Sequence, residues 1–282
     1  SGDSACCIPP VAIKKELIDE INNQTKKLAL ALKVKGFMNV QFAIKNDEIY
    51  IIEVNPRASR TVPFVSKAKG IPFAKIASRI MAGEKLKKFN LKNKNKNMFA
   101  VKEAVFPFNK FPNVDVLLGP EMKSTGEVMG ISETLGQAFM KASIGAGNYI
   151  PYEGSVFISV NNSDKMDIIP LARDLYEMGF SLIATSGTAK ELERNGLEVE
   201  YVFKVGEGRP NVVDEIKNGQ INLVINTPMG ARSRFDEEAI GCACIQYGIL
   251  AITTLSGANA VLRAIRSKEK PLQLDSLQNY HT

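Results

Sequence analysis

MNVQFAIKNDEIYIIEVNPRASR, residues Met38 to Arg60, reads as two strands joined by a polar turn. The strands run from Asn39 to Ile44 and from Tyr50 to Val54, and Lys45, Asn46, Asp47 and Glu48 separate the apolar runs. Strand side chains alternate between faces, so Val40, Phe42 and Ile44 share one side, with Tyr50, Ile52 and Val54 beside them. Gln41, Glu53 and Asn55 are left on the other. With Gln41 opposite Glu53, the expected register pairs Ile44 with Tyr50 and makes Lys45 to Ile49 the loop. The carboxylate and amide oxygens of the polar side are hard ligands suited to Mg²⁺, which takes few protein groups and keeps phosphate and water. Pro56 stops the strand, and Arg57 and Arg60 follow with guanidinium forks suited to phosphate or carboxylate. The plainer alternative is an edge strand with a solvated face and two surface arginines.

Outward from this hairpin, an apolar stripe predicts a helix from about Ile13 to Lys35, through Leu17, Ile18, Ile21, Leu28, Ala29 and Leu32, packed on the hairpin. Phe64 to Lys69 and Pro72 to Met81 read as short helices ended by Gly70 and Gly83, covering the hairpin's apolar side. A lysine-rich connector (Lys85, Lys87, Lys88, Lys92, Lys94, Lys96) precedes a strand from Ala100 to Phe106. Ser124 to Met129 reads as loop with a glycine turn, Glu133 to Ile144 as helix, and Gly145 to Pro151 as linker.

The residues Glu53-Val54-Asn55-Pro56-Arg57, preceded by Asn39-Val40-Gln41-Phe42, resemble the metal-binding end of the ATP-grasp ligases. The continuation Ala58 to Lys67 and the stretch Phe108-Asn109-Lys110-Phe111-Pro112 resemble the second half of carbamoyl phosphate synthetase large subunits. That resemblance implies ATP as cofactor, bound by Ser1, Gln41 and Glu53, with Mg²⁺ or Mn²⁺ on Gln41, Glu53 and Asn55. It makes Arg57 and Arg60 catalytic, steadying a transferred phosphoryl group. The implied reaction is phosphorylation of carbamate made from bicarbonate and glutamine-derived ammonia. The implied partners are a small glutaminase subunit and the N-terminal remainder of the large subunit.

The chain has 282 residues, 45% of them hydrophobic, enough for two domains. No apolar run approaches a membrane span of about 20 residues, so no membrane partner is expected. Four cysteines, as Cys6-Cys7 and Cys242-Ala243-Cys244, lack zinc-site spacing and suggest reduced thiols in a cytoplasmic protein. His281, the one histidine, stands near the last residue, where fraying is expected. A net charge of +6 fits an anionic ligand; the lysine run lacks base-stacking aromatics, so no nucleic-acid partner is expected.

Past the linker, strands at Ser155–Val160, Phe180–Ala184, Glu198–Phe203, Leu223–Ile225 and Leu250–Thr253 alternate with helices at Lys165–Met178, Thr188–Asn195, Asn211–Asn218, Phe235–Tyr247 and Ala258–Arg266. Such alternation predicts a mostly parallel sheet with ligands at the strands' carboxyl ends. There Thr185-Ser186-Gly187-Thr188 opens a helix, whose exposed N–H groups and dipole favour an anion. Lys165, Lys204, Asn226 and Thr227 follow other strands on the same rim, suiting a nucleotide monophosphate. This half resembles the methylglyoxal-synthase-like domain through Ala184 to Thr188, Glu207-Gly208-Arg209-Pro210 and Val224 to Thr227. The resemblance implies an effector, UMP or IMP, on Lys165, Thr185, Thr188, Lys204, Asn226 and Thr227, although Pro228 replaces a common hydroxyl. A lyase acting on dihydroxyacetone phosphate needs carboxylates beside the phosphate; the loop after Lys204 carries Glu207 and Arg209 but no Asp, and the loop after Ile225 has Thr227-Pro228-Met229-Gly230 in place of an acid, so no lyase is expected. Asp3, Glu103 and Thr253 match an ornithine-type site, with Ala251 where an aromatic is expected.

The expected fold is therefore α/β: an incomplete ATP-grasp α+β lobe followed by a parallel-sheet α/β methylglyoxal-synthase-like domain. The expected divisions are 1–90, the ATP-grasp part; 91–147, a connecting region; and 148–282, the allosteric domain. The second possibility is a free-standing regulatory nucleotide-binding module without catalysis.

Overall fold

The computed structural model describes residues 2–89, 91, 97–111, 116–119, 121–227, 234–269 and 271–281. The expectations placed on Ser1, on Lys92, Lys94 and Lys96, on Pro112, and on Pro228, Met229 and Gly230 lie outside these residues. Contacts divide the chain into two compact units, Cys7–Met98 with Leu274–Thr282, and Ser1–Cys6 with Phe99–Gln273. From Phe99 onward the expected connecting region therefore shares a unit with the parallel sheet.

After a short strand, β1 (Cys6–Ile8), the chain forms helix α1 (Lys15–Ala31), with Glu16 at its positive amino end. Leu17, Ile18, Ile21, Leu28 and Ala29 are half-buried as the stripe predicts, but no residue of α1 is fully buried and Leu32 is exposed. Close packing of α1 on the hairpin is thus not observed. The hairpin itself is β2 (Asn39–Lys45) paired antiparallel with β3 (Glu48–Asn55).

Its turn is only Asn46-Asp47, both left-handed at φ 52° and 63°, and the Lys14 ammonium pairs with Asp47. Asn and Asp tolerate this conformation and give the tight turn whose twist matches the strands. The expected five-residue loop is corrected accordingly. Gln41 does face Glu53, but the register shifts between Gln41 and Phe42, so Phe42 meets Ile51, Ala43 meets Tyr50 and Ile44 meets Ile49. Such a bulge leaves one extra residue unpaired, here Ile52. Tyr50 and Ile51 therefore exchange the sides expected for them. Ile44, Tyr50, Ile51 and Ile52 stay between 36% and 59% exposed, so no element covers them as predicted.

Helices α2 (Thr61–Lys69) and α3 (Phe73–Met81) follow, and their contact, with Phe64, Ala68, Ile71 and Ala77 buried, forms this unit's small core. The segment Leu274–His281 returns to the same unit. His281 is not frayed: its ring lies against Gly70.

In the larger unit, β4 (Phe99–Val105) pairs antiparallel with β5 (Gly126–Ser132), a strand in the segment expected as a loop. Helix α4 (Leu135–Gly145), capped by the Thr134 hydroxyl, presses onto this ribbon. A Cβ on Gly130 would lie 2.0 Å from the Ala138 carbonyl oxygen, so only glycine allows that approach. The expected linker, Gly145 to Pro151, stays inside the unit, with Ile150 and Pro151 buried.

The chain then alternates β6 (Ser155–Ser159), α5 (Lys165–Glu177), β7 (Ser181–Ala184), α6 (Ser186–Arg194), β8 (Glu200–Tyr201), α7 (Val212–Lys217), β9 (Leu223–Asn226), α8 (Arg234–Tyr247), β10 (Leu250–Ile252) and α9 (Leu255–Arg266). The sheet runs β10-β9-β6-β7-β8 with every pairing parallel. The predicted α/β alternation is observed, with β8 shorter than expected. Phe157, Ile183, Val212, Ile216, Val224 and Ile240 fill one core cluster. Each such side chain contributes about 1.5–3 kcal/mol on burial, and the short strands depend on that packing.

Candidate functional site

Two groups of residues gather by different means, one on each unit. On the hairpin, register does the work. Asn39 opposes Asn55 and Gln41 opposes Glu53, and directly opposed residues share a face, their Cβ atoms about 5 Å apart. Gln41 and Glu53 are exposed and Asn55 is half-buried. Neither the Gln41 nor the Glu53 side chain is held in a hydrogen bond or ion pair among the described residues. The donor set is one carboxylate and amide oxygens, which fits Mg²⁺ or Mn²⁺ sharing phosphate oxygens and water rather than an all-protein cage.

The next turn is rigid. The Arg57 amide donates to the Asn55 carbonyl at 2.8 Å, and the Arg57 guanidinium donates to the Ala58 carbonyl at 3.0 Å. Arg60 is the N-cap residue of α2, and the Ser59 and Thr61 hydroxyls share a 2.8 Å hydrogen bond across the junction. Two guanidinium groups thus follow the oxygen donors on a fixed piece of backbone.

On the parallel sheet, topology does the work. Four strands end on one rim, where a small cavity is lined by Ser159, Thr185, Lys204, Asn226, Asp236 and Glu237 among others. Of the six residues expected there, Thr185, Lys204 and Asn226 line the cavity. Lys165 stands at the start of α5, its Nζ 3.2 Å from where a Cβ on Gly187 would lie, which places an ammonium beside the amino end of α6. Thr188 and Thr227 are buried, and their hydroxyls accept hydrogen bonds from the backbone of Val160 and Asn161 at 3.3 and 3.0 Å. They fasten strand ends to the rim rather than lining the cavity.

Asp236 and Glu237 went unread in the sequence. They come from the first turn of α8, and nothing in their spacing places that turn against β8 and β9. Burial pushes the Asp236 carboxyl up, Glu207 and Glu237 push the same way, and the Lys204 ammonium opposes them. Acids therefore do stand beside this cavity, contrary to expectation: the loop after Lys204 carries Glu207 near enough to act on Asp236, and α8 supplies Asp236 and Glu237.

The ornithine-type set is divided. Asp3 accepts hydrogen bonds from the amides of Lys123 and Ser124 at 2.7 and 3.0 Å. Glu103 lies on β4 with its Oε2 buried and without a hydrogen-bond partner among the described residues, and burial pushes its carboxyl up to about 7 although Lys102 opposes the shift. Thr253 is exposed, and no hydrogen bond or ion pair among the described residues joins the three.

Comparison with known proteins matches residues 1–89 to the family described as "Carbamoyl-phosphate synthase L chain, ATP binding domain" and residues 167–253 to "MGS-like domain". The carbamoyl phosphate synthase large chain of Archaeoglobus fulgidus is 52% identical over all of this chain, and that of Pasteurella multocida 53%. This chain spans 26% of the length of each. The protein from Aquifex aeolicus described as "Carbamoyl phosphate synthase large chain, C-terminal section" is 50% identical over 96% of this chain, which covers 53% of it. Among solved structures, a methylglyoxal synthase from Elizabethkingia anophelis aligns over 40% of this chain and 79% of its own at 19% identity and a TM-score of 0.32, too loosely to argue from.

Proposed function

The chain belongs to the family of carbamoyl phosphate synthase large chains, corresponding to their C-terminal part, and on that premise we propose that it carries the metal–nucleotide end of the carbamate-phosphorylating site together with an effector site. The observation that carries the reading is the unengaged Gln41–Glu53 pair, four residues ahead of Arg57. Gln41, Glu53 and Asn55 would hold Mg²⁺ or Mn²⁺, which would supply charge neutralisation to transfer of a phosphoryl group. Arg57 and Arg60 bind that group's oxygens through paired N–H donors, and the tight turn before α2 fixes their separation from Glu53. Phosphoryl transfer requires chiefly such positioning and charge compensation, so no protein nucleophile takes part. In functional terms the chain divides into 1–90, 91–147 and 148–282, and a glutaminase subunit and the rest of the large chain complete the enzyme.

On the parallel sheet, Lys165 and the amino end of α6 take the phosphate of a nucleotide monophosphate, UMP or IMP. Lys204, Asn226 and Asp236 face the remainder of the ligand. Glu53→Gln in the complete large chain tests the assignment. It is expected to lower carbamoyl phosphate formation at least about a hundredfold, the loss typical of removing a group that holds transition-state charge. Calorimetric binding of UMP or IMP should stay unchanged, whereas retained activity would refute the metal assignment.

Asp236 and Glu237 also favour a second reading, a lyase, since an acid now stands beside a phosphate cradle. Turnover of dihydroxyacetone phosphate by this chain alone would establish it.

A further inference from the structure

The segment after α9 ends on α2. The His281 Nε2 lies 2.6 Å from the Lys67 carbonyl oxygen, and because a carbonyl can only accept, Nε2 carries the proton. Nδ1 is then a bare acceptor, buried with no partner among the described residues. The ring sits over Gly70, which caps α2 in the left-handed conformation at φ 65°, and a Cβ there would come within 2.9 Å of the ring. The Gly70 and Ile71 amides close the end of α2 onto the Ser66 carbonyl. Two further bonds brace the segment: the Asn279 amide donates to the Ser276 carbonyl at 3.1 Å, and the Asn279 side chain donates to Asp275 at 2.7 Å.

What this contact holds gives it meaning. The nine-residue α2 is flanked by its caps, Arg60 at one end and Gly70 at the other. A helix this short moves as one body, since each of its turns is bonded to the next. We propose that His281 is a positioning residue for phosphoryl transfer: seated on Gly70 and bonded to the Lys67 carbonyl, it latches one end of α2 and so fixes the setting of Arg57 and Arg60 at the other. This rests on the role given to those arginines above. The latch closes a helix whose unit has few buried side chains of its own, where one added hydrogen bond and one ring contact count for more than they would in a large core.

The test has two arms. In this chain, hydrogen exchange at the Gly70 and Ile71 amides should quicken about fivefold in His281→Ala, the order expected for one lost hydrogen bond, and much less in His281→Gln, which can still donate to Lys67. Unchanged exchange in His281→Ala would show that no latch exists. In the complete large chain with its glutaminase subunit, His281→Ala should lower kcat for carbamoyl phosphate formation about tenfold at unchanged ATP-binding stoichiometry and KM for ATP. His281→Gln should recover most of that loss. Gly70→Asn, whose side chain tolerates the left-handed backbone but meets the ring, should reproduce it, and the double variant should be no worse than either single one. Faster exchange with unchanged kcat would overturn the positioning role while leaving the latch. An unsubstituted enzyme that makes no carbamoyl phosphate would instead overturn the ligase reading, and the exchange result would still stand.

Discussion

Glu103 faces the core of its ribbon with one carboxylate oxygen buried and unpartnered among the described residues, a costly arrangement for an ionised group. Its nearest opposing charge, Lys102, donates instead to the Gly2 carbonyl at 3.2 Å and lies 3.9 Å from Glu127. With a folded-state value of about 7 against an ordinary 4.5, the native protein binds the extra proton between those limits. Stability from this group is therefore full below pH 4.5, falls as the pH rises towards 7, and stays lost above it. Glu103→Gln should stabilise the protein by about 2 kcal/mol at pH 8 and by almost nothing at pH 4, read by urea denaturation at both values. An equal effect at the two pH values would show that the carboxyl titrates normally. The sequence displayed Glu103 as an acid in an apolar strand, but not that its partner would be engaged elsewhere. Gln41 and Glu53 were legible for the opposite reason: their pairing depends on alternation within two adjacent strands, which needs no distant contact.

Among the elements, α4 shows where such local reading stops. Its apolar pattern identifies the helix, whereas β5 beneath it carries Gly126, which reads as a turn, and Gly130, so no strand pattern stands out. Gly130 is explained by the backbone of α4 pressing on it, a fact about packing rather than propensity. The hairpin was misread for a related reason, since Tyr50-Ile51-Ile52 is apolar at every position and fixes no register, so the bulge left no trace in the alternation. Gly136, on the other side of α4, meets α9 as closely: a Cβ would lie 2.2 Å from the Arg263 carbonyl oxygen. Gly136→Ala should therefore cost about 3 kcal/mol, at the upper end for overpacking, because the obstruction is backbone and cannot rotate away. Gly206→Ala, with open space around it, should stay within about 0.5 kcal/mol. Similar urea midpoints for the two variants would mean that α4 and α9 can part at this contact without cost.

Across the molecule the two units differ sharply in how their cores are built. In the unit of Cys7–Met98 the buried apolar side chains are Phe64, Ala68, Ile71 and Ala77, whereas every other buried apolar residue described belongs to the unit of the parallel sheet. The cavity at the strand ends opens into that second core, with Phe157, Val212 and Ile240 shared between them. Asp236 and Glu237 reach it from the first turn of α8 rather than from a strand-end loop, so strand-end spacing points to the lysine and the amide but to neither of these acids. Unequal cores imply unequal stability, since burial supplies most of what offsets chain entropy. The isolated chain should therefore lose structure in two steps, with protection of the α1, β2 and β3 amides failing at lower urea than protection of β6, β7 and β9. UMP or IMP at a hundred times its dissociation constant should raise only the later step, by about 2.7 kcal/mol, because ligand that binds one folded unit stabilises that unit alone. A single transition, or one in which both sets of amides shift together with nucleotide, would show that the two units do not unfold independently.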